Sequence, residues 1–138
     1  MKRGATMALL TLLLLACGTA QAAEWVSLGK VKNKTADAYI DTSSIRVSGQ
    51  SRRAWVKIVY TPHTMRDPER SGRWIDRIVT LYEYNCADET VRTLASTLHF
   101  SDSDSYTMKY ATPDAWKPVA PDTLGRSNME FLCSWKPK

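Results

Sequence analysis

From residue 53 to residue 61 the chain alternates without a break. Ala54, Val56, Ile58 and Tyr60 fall on one side of an extended backbone, and Trp55, Lys57, Val59 and Thr61 fall on the other. A helix would scatter these residues around its axis, whereas a strand turns successive side chains to opposite faces, so this run commits the chain to a sheet. Ile45-Arg46-Val47 leads into Ser48-Gly49-Gln50, a turn that predicts a hairpin with the alternating run. Further strand signals occupy 24–29, Ala38-Tyr39-Ile40, 74–84, 90–100 and 106–111. Asn85-Cys86-Ala87-Asp88-Glu89 and Ser101-Asp102-Ser103-Asp104 are the polar gaps between the later ones. These lengths and spacings predict an antiparallel β-sheet of five or six strands.

The period changes after Pro118, Pro121 and Asp122. Leu124, Asn128, Phe131 and Trp135 recur at helical spacing, with Met129 and Leu132 beside them. A C-terminal helix packed on the sheet follows, and the fold class is α+β. Gly125 places the start of the helix after itself, because glycine weakens a helix by about 1 kcal/mol relative to alanine.

The first residues read as an export address. Lys2 and Arg3 precede an apolar run over 7–16, and Ala20-Gln21-Ala22 is a small-x-small site, which predicts a signal peptide at 1–22 and one domain at 23–138. Leu14-Leu15-Ala16-Cys17 also reads as a bacterial lipobox, and this gives an alternative: a lipoprotein signal at 1–16 and a lipidated Cys17. Both readings predict a secreted, extracytoplasmic protein. The apolar run is too short to span a bilayer, so contact with a membrane is expected only through a lipid at Cys17. Removing or acylating Cys17 leaves Cys86 and Cys133 as a pair in an oxidising compartment, where a disulfide is the expected state. It would close a loop of about 48 residues, worth roughly 4 kcal/mol in the chain-entropy model. It would also staple the helix to the middle of the sheet.

The formal charge is +5, from 19 basic and 14 acidic side chains. It falls to +3 when Lys2 and Arg3 leave with the leader, which is well short of the basic asymmetry of a dedicated nucleic-acid binder. The remaining chain, about 115 residues without repeat, heptad or low-complexity stretch, suits one domain with one core.

Catalytic signals are weak. Asp41, Ser43 and Ser44 stand between short strands, where such a cluster ordinarily builds a turn from side-chain to backbone hydrogen bonds. Asp102 and Asp104 lack the central glycine and terminal glutamate of a calcium loop. His63 and His99 have no partner at metal-ligand spacing, and nothing brings either to Cys86 to activate a thiol. No phosphate-binding glycine loop or Gly-x-Ser-x-Gly elbow is present. The chain is therefore read as a protein without enzymatic activity, cofactor or metal.

One polar segment, 61–77, is longer than a hairpin needs. Its Arg66, Arg70 and Arg73, with Lys57 as a weaker candidate, are the expected contacts to carboxylates or sulfates on a partner. Arg77 belongs to the same segment, and Arg52 and Arg53 join it if the adjoining hairpin ends lie close. Asp67 and Glu69 neutralise part of this charge. Trp25, Trp55, Trp74, Trp116 and Trp135 read as core and sheet-face packing, one of them exposed as an interface anchor.

A series of short motifs spans the mature chain: Trp25; Tyr39-Ile40-Asp41 followed by Ser44-Ile45; Trp55-Val56-Lys57 with Tyr60; Tyr84-Asn85-Cys86 with Arg92; Trp116-Lys117-Pro118-Val119; and Cys133. In order and spacing it resembles the surface-adhesin protein E family, with Asn85 where an aspartate is usual. The resemblance implies a small antiparallel sheet with a helix, bridged cysteines, and a place in the periplasm, outer membrane or cell surface of a Gram-negative bacterium. It also implies a protein partner, with a host extracellular-matrix protein as the sharp version, and the capacity to form a homodimer. An envelope assembly or structural protein with no host partner, pairing through an open sheet edge, is the alternative.

Overall fold

The computed structural model describes residues 22–31, 35–70, 72–110 and 112–137. Residues 1–21 of the expected leader, Cys17 among them, lie outside the described residues.

Among the described residues nine strands and one helix follow in the order β1 (Trp25–Lys30), β2 (Ala36–Asp41), β3 (Arg46–Ser48), β4 (Ser51–Tyr60), β5 (Arg66–Asp67), β6 (Arg73–Asn85), β7 (Thr90–Phe100), β8 (Ser105–Lys109), β9 (Lys117–Pro118) and α1 (Leu124–Ser134). A single 3-10 turn, Thr42–Ser44, joins β2 to β3. Every pairing is antiparallel. The main path runs β1-β2-β4-β6-β7-β8, while β3 pairs with β4, β5 with β6 and β9 with β7. The expected count of five or six strands describes this main path and is too low for the whole. Of the three additional strands, β3 is the expected hairpin partner of β4, whereas β5 and β9 are only two residues long, carry no periodic signal and exist only because a longer neighbour supplies their hydrogen bonds.

The alternation of β4 sets the register. Ala54, Val56 and Ile58 lie opposite Tyr82, Thr80 and Ile78 of β6, and the last two lie opposite Ser96 and Leu98 of β7. This inner face holds the core. Ile40, Ala54, Val56 and Tyr84 pack with Met129 and Leu132 of α1, while Ile75, Leu98 and Phe100 form a second cluster toward the other end of the sheet. Each fully buried aliphatic side chain contributes about 1.5–3 kcal/mol. Thr80 and Ser96 share a hydrogen bond of 3.0 Å within the inner face, so both hydroxyls are satisfied although buried.

The helix begins at Leu124, one residue before Gly125 rather than after it. The hydroxyl oxygen of Thr123 accepts the amide hydrogen of Arg126 at 3.2 Å, and this N-cap offsets the weak glycine. Asn128, Met129 and Leu132 are its buried residues, and Asn128 donates to the hydroxyl of Tyr84 at 3.3 Å. Cys86 and Cys133 form a disulfide with a Cα–Cα distance of 5.8 Å. It ties the last turns of α1 to the end of β6, as the cysteine count implied. The hairpin turn at Gly49 has φ of 54°, a left-handed backbone that glycine adopts without strain.

Candidate interaction surface

The segment between β4 and β6 folds back as a flap over the far end of the inner face. The Thr61 amide donates to the carbonyl of Thr35 at 2.8 Å and the Ile75 amide to that of Met65 at 2.9 Å, while β5 zips onto the start of β6. The flap walls two cavities. One, of about 1070 Å³, lies between β1, β4 and the start of α1, lined by Leu28, Ile58, Tyr60, Met65 and Leu124 among others. The second, of about 410 Å³, lies between the flap and the inner face, over Ile78, Tyr82, Leu98 and Met108.

The three candidate arginines stack on aromatic rings along this flap. The Arg66 guanidinium lies 4.0 Å from the Trp74 ring centre, Arg70 3.8 Å from Tyr106 and Arg73 4.0 Å from Phe100. Such contacts are worth about 0.5–1 kcal/mol at exposed sites and recur once per 70–80 residues in ordinary proteins, so three on one flap are a concentration. Two of the three also hold carboxylates. Arg70 donates to buried Asp67 at 2.8 Å, and this hydrogen bond holds the Asp67 carboxyl below its ordinary range. Arg73 donates to Asp102 at 2.6 Å and to Asp104 at 3.0 Å. That contact is the main reason Asp102 is held low, whereas the Ser105 amide is the first cause for Asp104. The aspartates at the β7–β8 turn are thus ligands for an arginine. Arg66 is exposed, and among the described residues no carboxylate pairs with it.

The remaining candidates lie elsewhere. Lys57 projects from the opposite face of β4, its ammonium 4.2 Å from the Trp25 ring and 5.1 Å from Tyr39. Arg52 and Arg53 sit at the other end of β4, opposite Tyr84 and Glu83, so they do not join the flap. At roughly 3.3 Å per residue, some 25 Å of strand separate them from it. Arg77 pairs with its neighbour Asp76 at 3.1 Å.

His63 and His99, isolated in sequence, line one small cavity of about 440 Å³ with Asp76, Arg77 and Asp104. Desolvation, reinforced by Arg77, holds His99 below its ordinary pKa. Among the described residues no group of three or more His, Cys, Asp or Glu side chains could hold a metal. The Asp41 cluster is a turn. Its carboxylate accepts the amides of Glu24 and Ser43 at 2.9 and 3.0 Å, while the Ser44 hydroxyl donates to the Asp41 carbonyl at 2.7 Å and accepts from the Trp55 amide at 3.0 Å. Ser44 and the Asp41 carboxylate therefore make no nucleophile and base pair. Of the five tryptophans, Trp116 is the exposed one, at 39 %, stacked on Arg92 at 4.5 Å.

Fold and surface together define a helix-on-sheet module whose most elaborated exterior is a guanidinium and aromatic rim. The chain belongs to the surface-adhesin protein E family, whose model matches residues 25–134. It is similar to the solved structure of Haemophilus influenzae protein E, with 19% identity, a TM-score of 0.53, and coverage of 87% of this chain and 91% of that one. It is also similar to protein E from non-typeable Haemophilus influenzae, with 20% identity, a TM-score of 0.55, and coverage of 87% and 82%. At such identity the likeness is one of fold. Comparison with curated proteins gives no match. No helix among the described residues is long and apolar enough to cross a membrane.

Proposed function

We propose that this chain is a non-enzymatic surface adhesin of a Gram-negative cell envelope, exported by its leader, which binds a protein partner by surface complementarity. A host extracellular-matrix protein is the sharp form of that partner. The observation that carries the reading is the flap rim, where Arg66, Arg70 and Arg73 are each held on an aromatic ring. A guanidinium already ordered by stacking loses less side-chain freedom when a partner carboxylate or sulfate arrives. Arg66 offers the largest share, having no internal carboxylate to give up. Arg70 and Arg73 contribute mainly by shaping the flap.

The test is binding of purified wild-type protein and of Arg66→Ala, Arg70→Ala and Arg73→Ala variants to a panel of immobilised extracellular-matrix proteins. Loss of about 1–2 kcal/mol of affinity at Arg66, with smaller losses at the other two, is expected for an interface arginine. Unchanged affinity for every partner would remove the flap from the reading.

The alternative, an envelope assembly protein with no host partner, is favoured by one observation. Strand β8 has β7 as its neighbour on one side and, among the described residues, no strand on the other, with Tyr106 exposed at 44 %. Such an edge accepts another strand. Cross-linking in intact cells separates the readings, because the captured partner would be bacterial.

A further inference from the structure

The two core clusters lie on the inner face, and along β4, β6 and β7 no side chain of the outer face is buried. An antiparallel sheet with one wet face normally carries polar residues there. This one carries Trp25, Tyr39, Trp55, Val59, Val79 and Leu81, in register across neighbouring strands and only partly exposed because they shield one another. A continuous apolar face of this kind marks an interaction surface.

The charges of the same face say what it meets. Its carboxylates are already matched: Asp37 by Lys30 at 3.0 Å, Glu83 by Arg92 at 2.6 Å, and Asp76 at the rim by Arg77 at 3.1 Å. Lys57, Arg53 and Arg46 are left over, with no carboxylate partner among the described residues. Arg46 and Arg53 are exposed and stand directly opposite each other across β3 and β4, where like charges repel, and the Arg46 guanidinium turns to the carbonyls of Ser43 and Ile45 at 3.1 and 3.0 Å rather than to a carboxylate. Glu83, the residue facing Arg53 from β6, turns to Arg92 instead. None of the three cavities described above opens onto Trp25, Tyr39, Trp55 or Lys57. Tryptophan and tyrosine interleaved with basic side chains match the headgroup zone of a bilayer, where amphipathic rings settle and cations meet lipid phosphates.

We propose that the outer face of the sheet docks on an anionic phospholipid bilayer, with Trp25, Tyr39 and Trp55 at the headgroup level and Lys57, Arg53 and Arg46 on lipid phosphates. This goes beyond the adhesin reading and requires no lipid at Cys17.

The test uses the protein as exported by its own cells. Tryptophan fluorescence is followed on vesicles of brominated phosphatidylcholine, with and without 30% phosphatidylglycerol, the bromine quenching only rings that reach the bilayer. Quenching that depends on phosphatidylglycerol and is reversed by high salt is expected. It should largely vanish in Trp25→Phe/Trp55→Phe. Each surplus cation is worth roughly fivefold in partitioning (about 1 kcal/mol), so Lys57→Glu/Arg53→Glu should weaken binding more than about 25-fold. A common N-terminal anchor affects both vesicle types equally and does not produce the difference. Reductive methylation of the unmodified protein supplies a readout independent of any variant: phosphatidylglycerol vesicles should protect Lys57 and leave Lys117 and Lys136 reactive. Equal quenching on both vesicle types, unchanged binding of the charge-reversed variant, or Lys57 reactivity indifferent to lipid overturns the proposal. So does a solution dimer that Lys57→Glu dissociates without any lipid-dependent quenching, which would give the face to a second copy.

Discussion

Asn128 and Tyr84 form the most exacting contact at the scale of single residues. Both are buried, one on α1 and one on β6, and the amide donates to the phenol oxygen at 3.3 Å. Burial pushes the Tyr84 hydroxyl far above its ordinary pKa, so it stays neutral and able to hydrogen bond. Tyr84→Phe strands the Asn128 amide and should cost about 1–3 kcal/mol, read as a lowered urea midpoint with unchanged slope. Tyr84→Phe combined with Asn128→Leu removes both polar groups and should recover much of that loss; a double variant as weak as the sum of its parts would contradict this. Asn128 was visible in the sequence as a member of the helix's apolar row. Its partner, 44 residues away, was not.

At the scale of elements, α1 is held by its cap, its apolar row and the disulfide. Cys86→Ser/Cys133→Ser should lower stability by roughly 4 kcal/mol in the chain-entropy model. The loss should appear first as faster hydrogen exchange in the last turns of α1, because a terminal helix without its staple frays before the sheet opens. The flap is held differently, through Arg73 on Asp102 and Asp104 at the β7–β8 turn. Arg73→Ala should leave the sheet intact while raising exchange over the flap and that turn together. Exchange confined to the flap would show that the two are not joined. The strand runs and the helix period announced the long elements. The flap closure could not be read, since Arg73 and Asp102 are 29 residues apart and nothing local links a basic loop to one particular acidic turn.

For the whole molecule, the groups that titrate on the acid side act in one direction. Asp67, Asp102 and Asp104 are held below the ordinary carboxyl value, so their stabilisation is complete above about pH 4 and is lost as the pH falls through their native values. His99 is also held low, which favours its neutral form in the native state. Its share is present above about pH 6.5 and is lost on acidification below that, as the unfolded chain takes up the proton first. The urea midpoint should therefore be flat down to near pH 6.5 and decline in two stages below it. His99→Asn should abolish the upper stage and leave the lower one; a midpoint that rises on acidification would reverse the assignment.

The sequence by itself determined the long strands, the terminal helix, the pairing of Cys86 with Cys133 and the family, because period, turn residues and cysteine parity are local or countable properties. Only the tertiary structure decided which cations are spent and which are free. It took Lys57 and Arg53 away from the flap, neutralised Arg70 and Arg73 with aspartates from near and far, and brought His63 and His99 to one cavity. It also decided which face of the alternating strands is the core. Period two states that the faces differ, but both faces of β4 are apolar enough to be buried, and the choice falls to where the helix, itself placed by a disulfide and a buried amide, comes to rest.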